Sequence, residues 1–145
     1  MLDRVIVLVE DNANDEELTL RAFRKANIVN RVVVVRDGAE ALDYFFARGP
    51  HADRSPNEIA QVVLLDLKLP KIDGLDVLRA LRADERTRLI PIVVLTSSAE
   101  EQDLVRSYGL GANSYVRKPV DFTQFVEAVR QLGLYWLVIN QAAPI

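Results

Sequence analysis

The sequence predicts an α/β fold in which five strands alternate with five helices in a doubly wound parallel sheet. Short apolar runs rich in β-branched residues recur along the chain, and each is followed by a helix-length segment. The runs lack a polar residue at every second position, which is typical of strands covered on both faces. The five runs are Val5–Val9, Val32–Val35, Val62–Leu65, Ile92–Leu95 and Tyr115–Val116.

The segments between these runs carry signals for helix starts. A residue that can cap a helix stands three positions before an acid or an amide in four of them. Right-handed crossovers between parallel strands, combined with this alternation, favour the flavodoxin-like strand order 2-1-3-4-5. The predicted capping pairs are Asn14 with Glu17, Asp37 with Glu40, Ser98 with Glu101, and Asp121 with Gln124.

Length and composition predict a single folded unit. The 145 residues are 50% apolar and 27% charged, the balance of an ordinary globular domain with a sizeable core. We expect one domain over residues 1–145, with a core at about 4–132 and an apolar C-terminal extension at about 133–145. The long segment Arg48–Gln61 breaks the rhythm and is interpreted as a surface or binding loop.

Composition also excludes several functions. A net charge of −3 argues against a nucleic-acid partner. The absence of cysteine removes disulfides and thiolate metal sites, and the lone His51 lies in the loop, so we set histidine chemistry aside. The longest apolar run, Leu134–Ile139, is far shorter than the roughly 18 residues needed to span a bilayer. We therefore expect a cytoplasmic protein that binds neither membrane nor nucleic acid.

Acidic residues follow the first and third strands. Glu10 and Asp11 end the first, and Asp66 ends the third. These strands are neighbours in the predicted order, so the three carboxylates should converge on one crevice at their carboxyl ends. Like charges in a partly desolvated site cost stability unless a cation is present. Oxygen ligands of this kind suit Mg²⁺ better than zinc or copper.

The fourth and fifth strands supply a hydroxyl and an ammonium to the same edge. Thr96 ends the fourth strand and Lys118 the fifth. A carboxylate nucleophile, a metal, a hydroxyl donor and a positive charge are the parts needed to accept and hold a phosphoryl group. Asp66, Thr96 and Lys118 are therefore the predicted reactive residues.

These motifs resemble, in order and spacing, those of two-component response regulator receiver domains, and the resemblance covers essentially the whole chain. There are four motifs, and each lies at the end of a predicted strand. They are Val-Glu10-Asp11-Asn, Leu-Leu-Asp66-Leu-Lys-Leu-Pro70 followed by Gly74, Val-Leu-Thr96-Ser97-Ser98, and Tyr115-Val-Arg-Lys118-Pro119.

The resemblance implies a role for each site residue. Asp66 would accept a phosphoryl group from the phosphohistidine of a sensor histidine kinase. Glu10, Asp11 and Asp66, with the backbone of Lys68, would bind Mg²⁺. Lys118 would pair with the phosphoryl oxygens.

The resemblance also implies a conformational switch. Thr96 would move toward the phosphoryl group, and Tyr115 would follow it inward from a more exposed rotamer, which changes the face formed by helix four, strand five and helix five. Pro119 would be a structural residue in a cis Lys118–Pro119 bond. Lys68 and Ser98 would tune the loss of the phosphoryl group to water.

Two features depart from most of the family. No output domain follows before Ile145, so we expect the output to be a protein contact or a relayed phosphoryl group. The apolar segment Leu132–Asn140 and the long loop are similar to small regulators partnered with phytochrome-type sensor kinases, such as bacteriophytochromes. We interpret the last helix and this tail as a homodimer interface, with packing of an over-long helix as the alternative.

Two other functions compete with a receiver. A Mg²⁺-dependent phosphohydrolase with an aspartyl nucleophile usually has a second Asp two residues later, where this chain has Lys68, and we find no cap domain. A receiver-like scaffold that no longer takes phosphate would bind its partner constitutively, but the complete set of site residues argues against it. We expect phosphorylation and dephosphorylation of Asp66 rather than enzymatic turnover.

Overall fold

The structure is a computed structural model that describes residues 2–143, in which five strands and five α-helices alternate. All five predicted strands are present. The strands are β1 (Asp3–Val9), β2 (Val32–Val35), β3 (Glu58–Leu65), β4 (Ile92–Thr96) and β5 (Ser114–Arg117). The helices are α1 (Ala13–Lys25), α2 (Gly38–Phe45), α3 (Gly74–Ala83), α4 (Glu101–Gly109) and α5 (Phe122–Leu134).

The strands form one parallel sheet in the predicted order, β2-β1-β3-β4-β5. Its register brings the site residues to one level. Val9 pairs with Leu65, so Glu10 and Asp66 leave β1 and β3 side by side. At the other junction the Lys118 amide donates to the Thr96 carbonyl at 2.7 Å.

The core lies in two layers, one on each face of the sheet. Residues 5–9 of β1 are all buried, which explains the continuous apolar run. One layer packs against α2 and α3, and the other against α1, α5 and the tail. The first includes Val7, Tyr44, Phe45, Leu78 and Leu81, and the second includes Ile6, Leu8, Phe23, Phe125 and Val129.

Two of the four predicted helix caps are wrong. Asn12, not Asn14, caps α1, because Asn12 has the extended backbone of a cap and Asn14 is already helical. Helix α4 begins after Glu100, and the Ser98 hydroxyl donates to Asp103 at 2.6 Å instead of capping the helix. The predicted caps Asp37 and Asp121 accept hydrogen bonds from Glu40 and Gln124, respectively.

The segment predicted as a long loop is partly structured. A 3₁₀ turn occupies Gly49–His51, and β3 begins at Glu58 rather than at Val62. These extra strand residues pair with the start of β1, where Asp3 is opposite Glu58. The polar residues at this end of β3 hid the strand from a search for apolar runs.

The apolar tail continues α5 into a π-helical turn at Tyr135–Ile139. Trp136 is buried in the core, with 8% of its surface exposed, so the tryptophan of the apolar tail packs within the monomer. The Gln61 side-chain amide donates to the carbonyls of Trp136 and Leu137, both at 3.4 Å, and ties the turn to β3. Residues 144–145 of the predicted extension lie outside the described residues. Between residues 2 and 143, no helix combines the length and apolar character required to cross a bilayer.

Candidate functional site

Three carboxylates meet at the carboxyl end of the sheet, as the sequence predicts. Glu10, Asp11 and Asp66 each place an oxygen within 4.8 Å of the others. Glu10 and Asp66 are 2% and 6% exposed, whereas Asp11 faces solvent. The cluster is therefore open on one side and buried on the other.

Lys118 extends from the end of β5 into this cluster. Its Nζ donates to Glu10 Oε1 at 2.6 Å and to Asp66 Oδ2 at 3.0 Å. It also donates to Asp15 Oδ2 at 2.8 Å, so all three of its N–H bonds are used. The sequence analysis missed Asp15. Its position in the first turn of α1, which starts directly after the acidic pair Glu10 and Asp11, is the signal that could have found it.

The site has more negative than positive charge. Burial raises the pKa of Glu10 to about 7, although its hydrogen bond and ion pair with Lys118 act in the opposite direction. Burial also disfavours the charged form of Lys118, but hydrogen bonds to Asp15 and Glu10 outweigh it and raise the pKa of Lys118 above its ordinary value. Closely spaced carboxylate oxygens in excess over one ammonium fit the donor preference of Mg²⁺.

Both oxygens of the Asp66 carboxylate accept hydrogen bonds. The hydroxyl of the fully buried Thr96 donates to Oδ1 at 2.8 Å, and the Lys68 amide donates to the same oxygen at 3.3 Å. Lys118 contacts Oδ2. Gly74 permits this turn, because a Cβ there would lie 2.4 Å from the Asp66 carbonyl oxygen.

The predicted switch tyrosine already points inward. The half-buried Tyr115 donates from its hydroxyl to the Ser98 carbonyl at 3.3 Å, rather than adopting the exposed rotamer expected of the resting state. This hydrogen bond gives the phenol a partner that an exposed rotamer would exchange for water. The same turn is joined to α4 by Asp103, which the sequence analysis missed and whose Oδ2 lies 3.9 Å from Lys68 Nζ.

Pro119 lies where predicted, but its bond to Lys118 is trans, because residues 2–143 contain no cis peptide bond. The expectation of a cis bond is therefore wrong for this structure. The two isomers of a bond before proline differ by only about 0.5–1 kcal/mol, with trans favoured, so local contacts decide which one forms.

Comparison with known proteins identifies the family. The model of the response regulator receiver domain matches residues 6–130. Response regulator Rcp1 of Synechocystis sp. is 34% identical over 134 residues, which cover 92% of this chain and 89% of Rcp1. The crystal structure of the Mn²⁺-bound form of Rcp1 has a TM-score of 0.89 at 32% identity and covers 97% of this chain and 99% of that one.

Two other solved structures are similar over nearly their whole length. The phosphorylated cyanobacterial phytochrome response regulator RcpA has a TM-score of 0.90 at 35% identity, with 99% of this chain and 100% of RcpA covered. The bacteriophytochrome response regulator AtBRR is 54% identical with a TM-score of 0.75, and 97% of this chain and 99% of that chain are covered.

The geometry and the comparisons agree. Receiver domains act in phosphotransfer signalling with sensor histidine kinases, bind Mg²⁺ or Mn²⁺ at an acidic site, and are generally signalling proteins rather than catalysts of turnover. The fold, its strand order and the acidic cluster are those of such a domain. This chain belongs to the response regulator receiver domain family.

Proposed function

We propose that this receiver domain takes a phosphoryl group onto Asp66 from the phosphohistidine of a sensor histidine kinase in the cytoplasm. The observation that carries the proposal is that Asp66 lies in the acidic cluster with Thr96 on one carboxylate oxygen and Lys118 on the other. One receiver unit would extend over residues 1–145, with its core at about 4–132 and the extension at 133–145. Its output would be a contact or a relayed phosphoryl group.

The transfer needs a nucleophile and a way to stabilise negative charge. A carboxylate oxygen of Asp66 attacks phosphorus, the phosphorus–nitrogen bond breaks, and its electron pair returns to the imidazole, which leaves a mixed acyl phosphate on Asp66. Lys118 redirects one of its hydrogen bonds from the Asp66 carboxylate to a phosphoryl oxygen. This charge-assisted hydrogen bond stabilises the product.

Carboxylate oxygens of Glu10, Asp11 and Asp66, with the carbonyl of Lys68, would hold Mg²⁺. When bound, Mg²⁺ neutralises the excess negative charge of the cluster and of the phosphoryl oxygens. The carboxylate spacing within 4.8 Å and the solvent-facing side at Asp11 support this ligand set. Hard oxygen ligands and remaining positions for water are what Mg²⁺ prefers.

Phosphorylation then shifts the equilibrium between two packings of the α4-β5-α5 face. Thr96 exchanges its hydrogen bond to Asp66 Oδ1 for one to a phosphoryl oxygen, which pulls the end of β4 toward the site. The inward Tyr115, bonded to the carbonyl of Ser98 two residues after Thr96, is stabilised in the same step. The free energy of this shift equals the difference in the interaction free energy of the phosphoryl group between the two packings. Lys68 and Ser98 would set how fast water removes the group.

We further propose a kinase of the phytochrome type as partner, because RcpA is described as a phytochrome response regulator and AtBRR as a bacteriophytochrome response regulator. We also propose that the protein forms a homodimer through α5 and the tail. The support is a group of exposed apolar side chains at the end of α5 and in the π-helical turn, where Trp136 in contrast is buried. They are Leu134, Tyr135, Val138 and Ile139, each between 45% and 72% exposed.

The phosphorylation proposal is tested with Mg²⁺ and a small acyl phosphate, and intact mass is the readout. We expect a gain of one phosphoryl group that is lost in Asp66→Asn and retained in Asp76→Asn, a matched change at an exposed carboxylate whose one ion pair among residues 2–143 is with Arg79. Continuous release of phosphate without an adduct would favour the phosphohydrolase. No reaction in the wild type would favour the scaffold.

The dimer proposal is tested by sedimentation at several concentrations. Ile139→Asp should weaken self-association, and Val105→Asp is the matched control because Val105, on α4, is exposed to the same extent, at 63% for both residues. Equal association of both variants would remove the tail from the interface. Trp136 is unsuitable for this test because its replacement would disturb the core of the monomer.

A further inference from the structure

Asp15 is a carboxylate in the first turn of α1 that has no role in the phosphotransfer described above. Its Oδ2 lies 2.8 Å from Lys118 Nζ, and its side chain is 28% exposed. The Asp15 amide donates to the Asn12 side chain at 3.0 Å, and its carbonyl accepts from the buried Thr19 hydroxyl at 2.7 Å. The backbone that carries this carboxylate is therefore held from both sides.

The other two acceptors of Lys118 have a second task. Glu10 and Asp66 belong to the cluster that the proposed function assigns to Mg²⁺ and the phosphoryl group. When these oxygens bind Mg²⁺ or the phosphoryl group, they no longer hold the Lys118 ammonium in position. Asp15 is not part of the cluster, so it is the acceptor that can stay on Lys118 before and after transfer.

We propose that Asp15 is a positioning residue that keeps the Lys118 ammonium directed at the reacting carboxylate throughout the phosphorylation cycle. This inference rests on the proposed function. A lysine side chain has four rotatable bonds and a compact charge, so without a fixed partner its ammonium samples many positions. A small displacement of a charge-stabilising group slows the reaction strongly. Asp15 removes that freedom as a partner outside the set of proposed metal ligands.

The first test compares rates of labelling by a small acyl phosphate at saturating Mg²⁺. We expect Asp15→Ala to be labelled about tenfold more slowly than wild type, the loss typical of one hydrogen bond to a charged group. Asp15→Asn keeps an acceptor and should stay within about threefold. Glu16→Ala is the matched control, because Glu16 is an acid in the same turn that pairs with Arg36 rather than with Lys118.

The second test needs neither Mg²⁺ nor a phosphodonor. In protein labelled with ¹⁵N-lysine, the Lys118 ammonium, identified by its loss in Lys118→Arg, should exchange slowly with water in wild type, Asp15→Asn and Glu16→Ala. In Asp15→Ala one N–H is released to solvent, so the signal should broaden or vanish. A role limited to stabilising α1 would not change this signal, and far-UV circular dichroism checks the helix.

The two proposals fail in different ways. Wild type that takes no phosphoryl group would refute the proposed function and this inference together. Wild type that is labelled, with Asp15→Ala labelled as fast or faster and its Lys118 signal unchanged, would overturn the positioning role alone. An Asp15→Asn variant as slow as Asp15→Ala would also contradict it, because a retained acceptor should suffice.

Discussion

The two ends of the sheet each carry a polar cluster, and the clusters differ in charge balance. At the amino end, Arg31 pairs with Asp3 and with Glu58, and the Tyr44 hydroxyl donates to Glu58 at 2.5 Å. The Arg54 guanidinium lies 4.6 Å from the centre of the Tyr44 ring. Two acids thus meet two arginines there. At the carboxyl end, the ammonium of Lys118 pairs with Glu10, Asp15 and Asp66, and Asp11 is a fourth acid beside Glu10 and Asp66, so four acids lie near one cation.

The difference in charge balance appears in the pKa values of the buried Glu10 and the half-buried Glu58. Burial raises the pKa of Glu10 to about 7, and Lys118 does not fully offset it. Burial also acts on Glu58, but hydrogen bonds from Tyr44 and Arg31 outweigh it and lower the pKa of Glu58 below its ordinary value. A cluster whose charges balance is typical of a structural contact. A cluster with excess negative charge and a raised carboxyl pKa is typical of a site that binds a cation or takes part in a reaction.

Replacement of the cation at the centre of each cluster should give the largest difference in stability between the two clusters. Lys118→Met leaves buried Glu10 and Asp66 without their counter-ion, so we expect a loss of about 3 kcal/mol in the free energy of unfolding without Mg²⁺. Arg31→Met at the half-exposed amino-end pair should cost about 1 kcal/mol or less. Urea unfolding at pH 8 measures both, and equal losses would contradict the comparison.

Mg²⁺ itself should act on one cluster and not on the other. At a concentration 100 times its dissociation constant, a ligand that binds only the folded state adds about 2.7 kcal/mol to the free energy of unfolding. We expect an increment of this size for wild type and for Glu58→Gln, and a much smaller one for Asp66→Asn. Thermal unfolding with and without Mg²⁺ gives the increment. An equal gain in all three proteins would place the ion elsewhere.

Sequence patterns predicted the carboxyl-end cluster better than the amino-end cluster. Glu10, Asp66, Thr96 and Lys118 each follow an apolar run, and parallel topology brings the ends of such runs together. Glu58 lies in a polar stretch, and neither Arg31 nor Tyr44 stands in a pattern that a strand or helix periodicity singles out. Their meeting depends on the extension of β3 beside β1, which only the structure shows.

Side-chain contacts made across elements were the other limit of the sequence analysis. Asp15 and Asp103 were missed because each acts from a helix on a residue of another segment, at Lys118 and at Ser98. The burial of Trp136 could not be predicted because an apolar tail has the same sequence pattern whether it packs on its own chain or on another. Helix caps failed where two candidates were close, since Asn12 and Asn14 differ only in backbone conformation.

The balanced cluster should respond to acid in a predictable direction. Glu58→Gln weakens the contacts with Tyr44 and Arg31, so we expect a loss of about 1.5 kcal/mol in the free energy of unfolding at pH 7. The pKa of Glu58 is lowered in the folded state, so its contribution is present above the ordinary value of 4.5 and is lost as the pH falls through the folded value. Unfolding measured from pH 7 to pH 3 should therefore show the two proteins converge, and a constant difference would refute the assignment.

The smallest expected effect is a gain, rather than a loss, in the free energy of unfolding, and it tests the excess negative charge of the carboxyl-end cluster. Asp11 accepts no hydrogen bond from residues 2–143, and its carboxylate lies within 4.8 Å of Glu10 and Asp66 oxygens. Without Mg²⁺ two carboxylates repel its charge, and the single ammonium of Lys118, which already pairs with both of them, offsets only part of that repulsion. Asp11→Asn should raise the free energy of unfolding by about 1 kcal/mol, the water-screened value for unit charges about 4 Å apart. In saturating Mg²⁺ the order should reverse, because the variant has lost a ligand. A variant less stable than wild type in both conditions would show that Asp11 supports the fold.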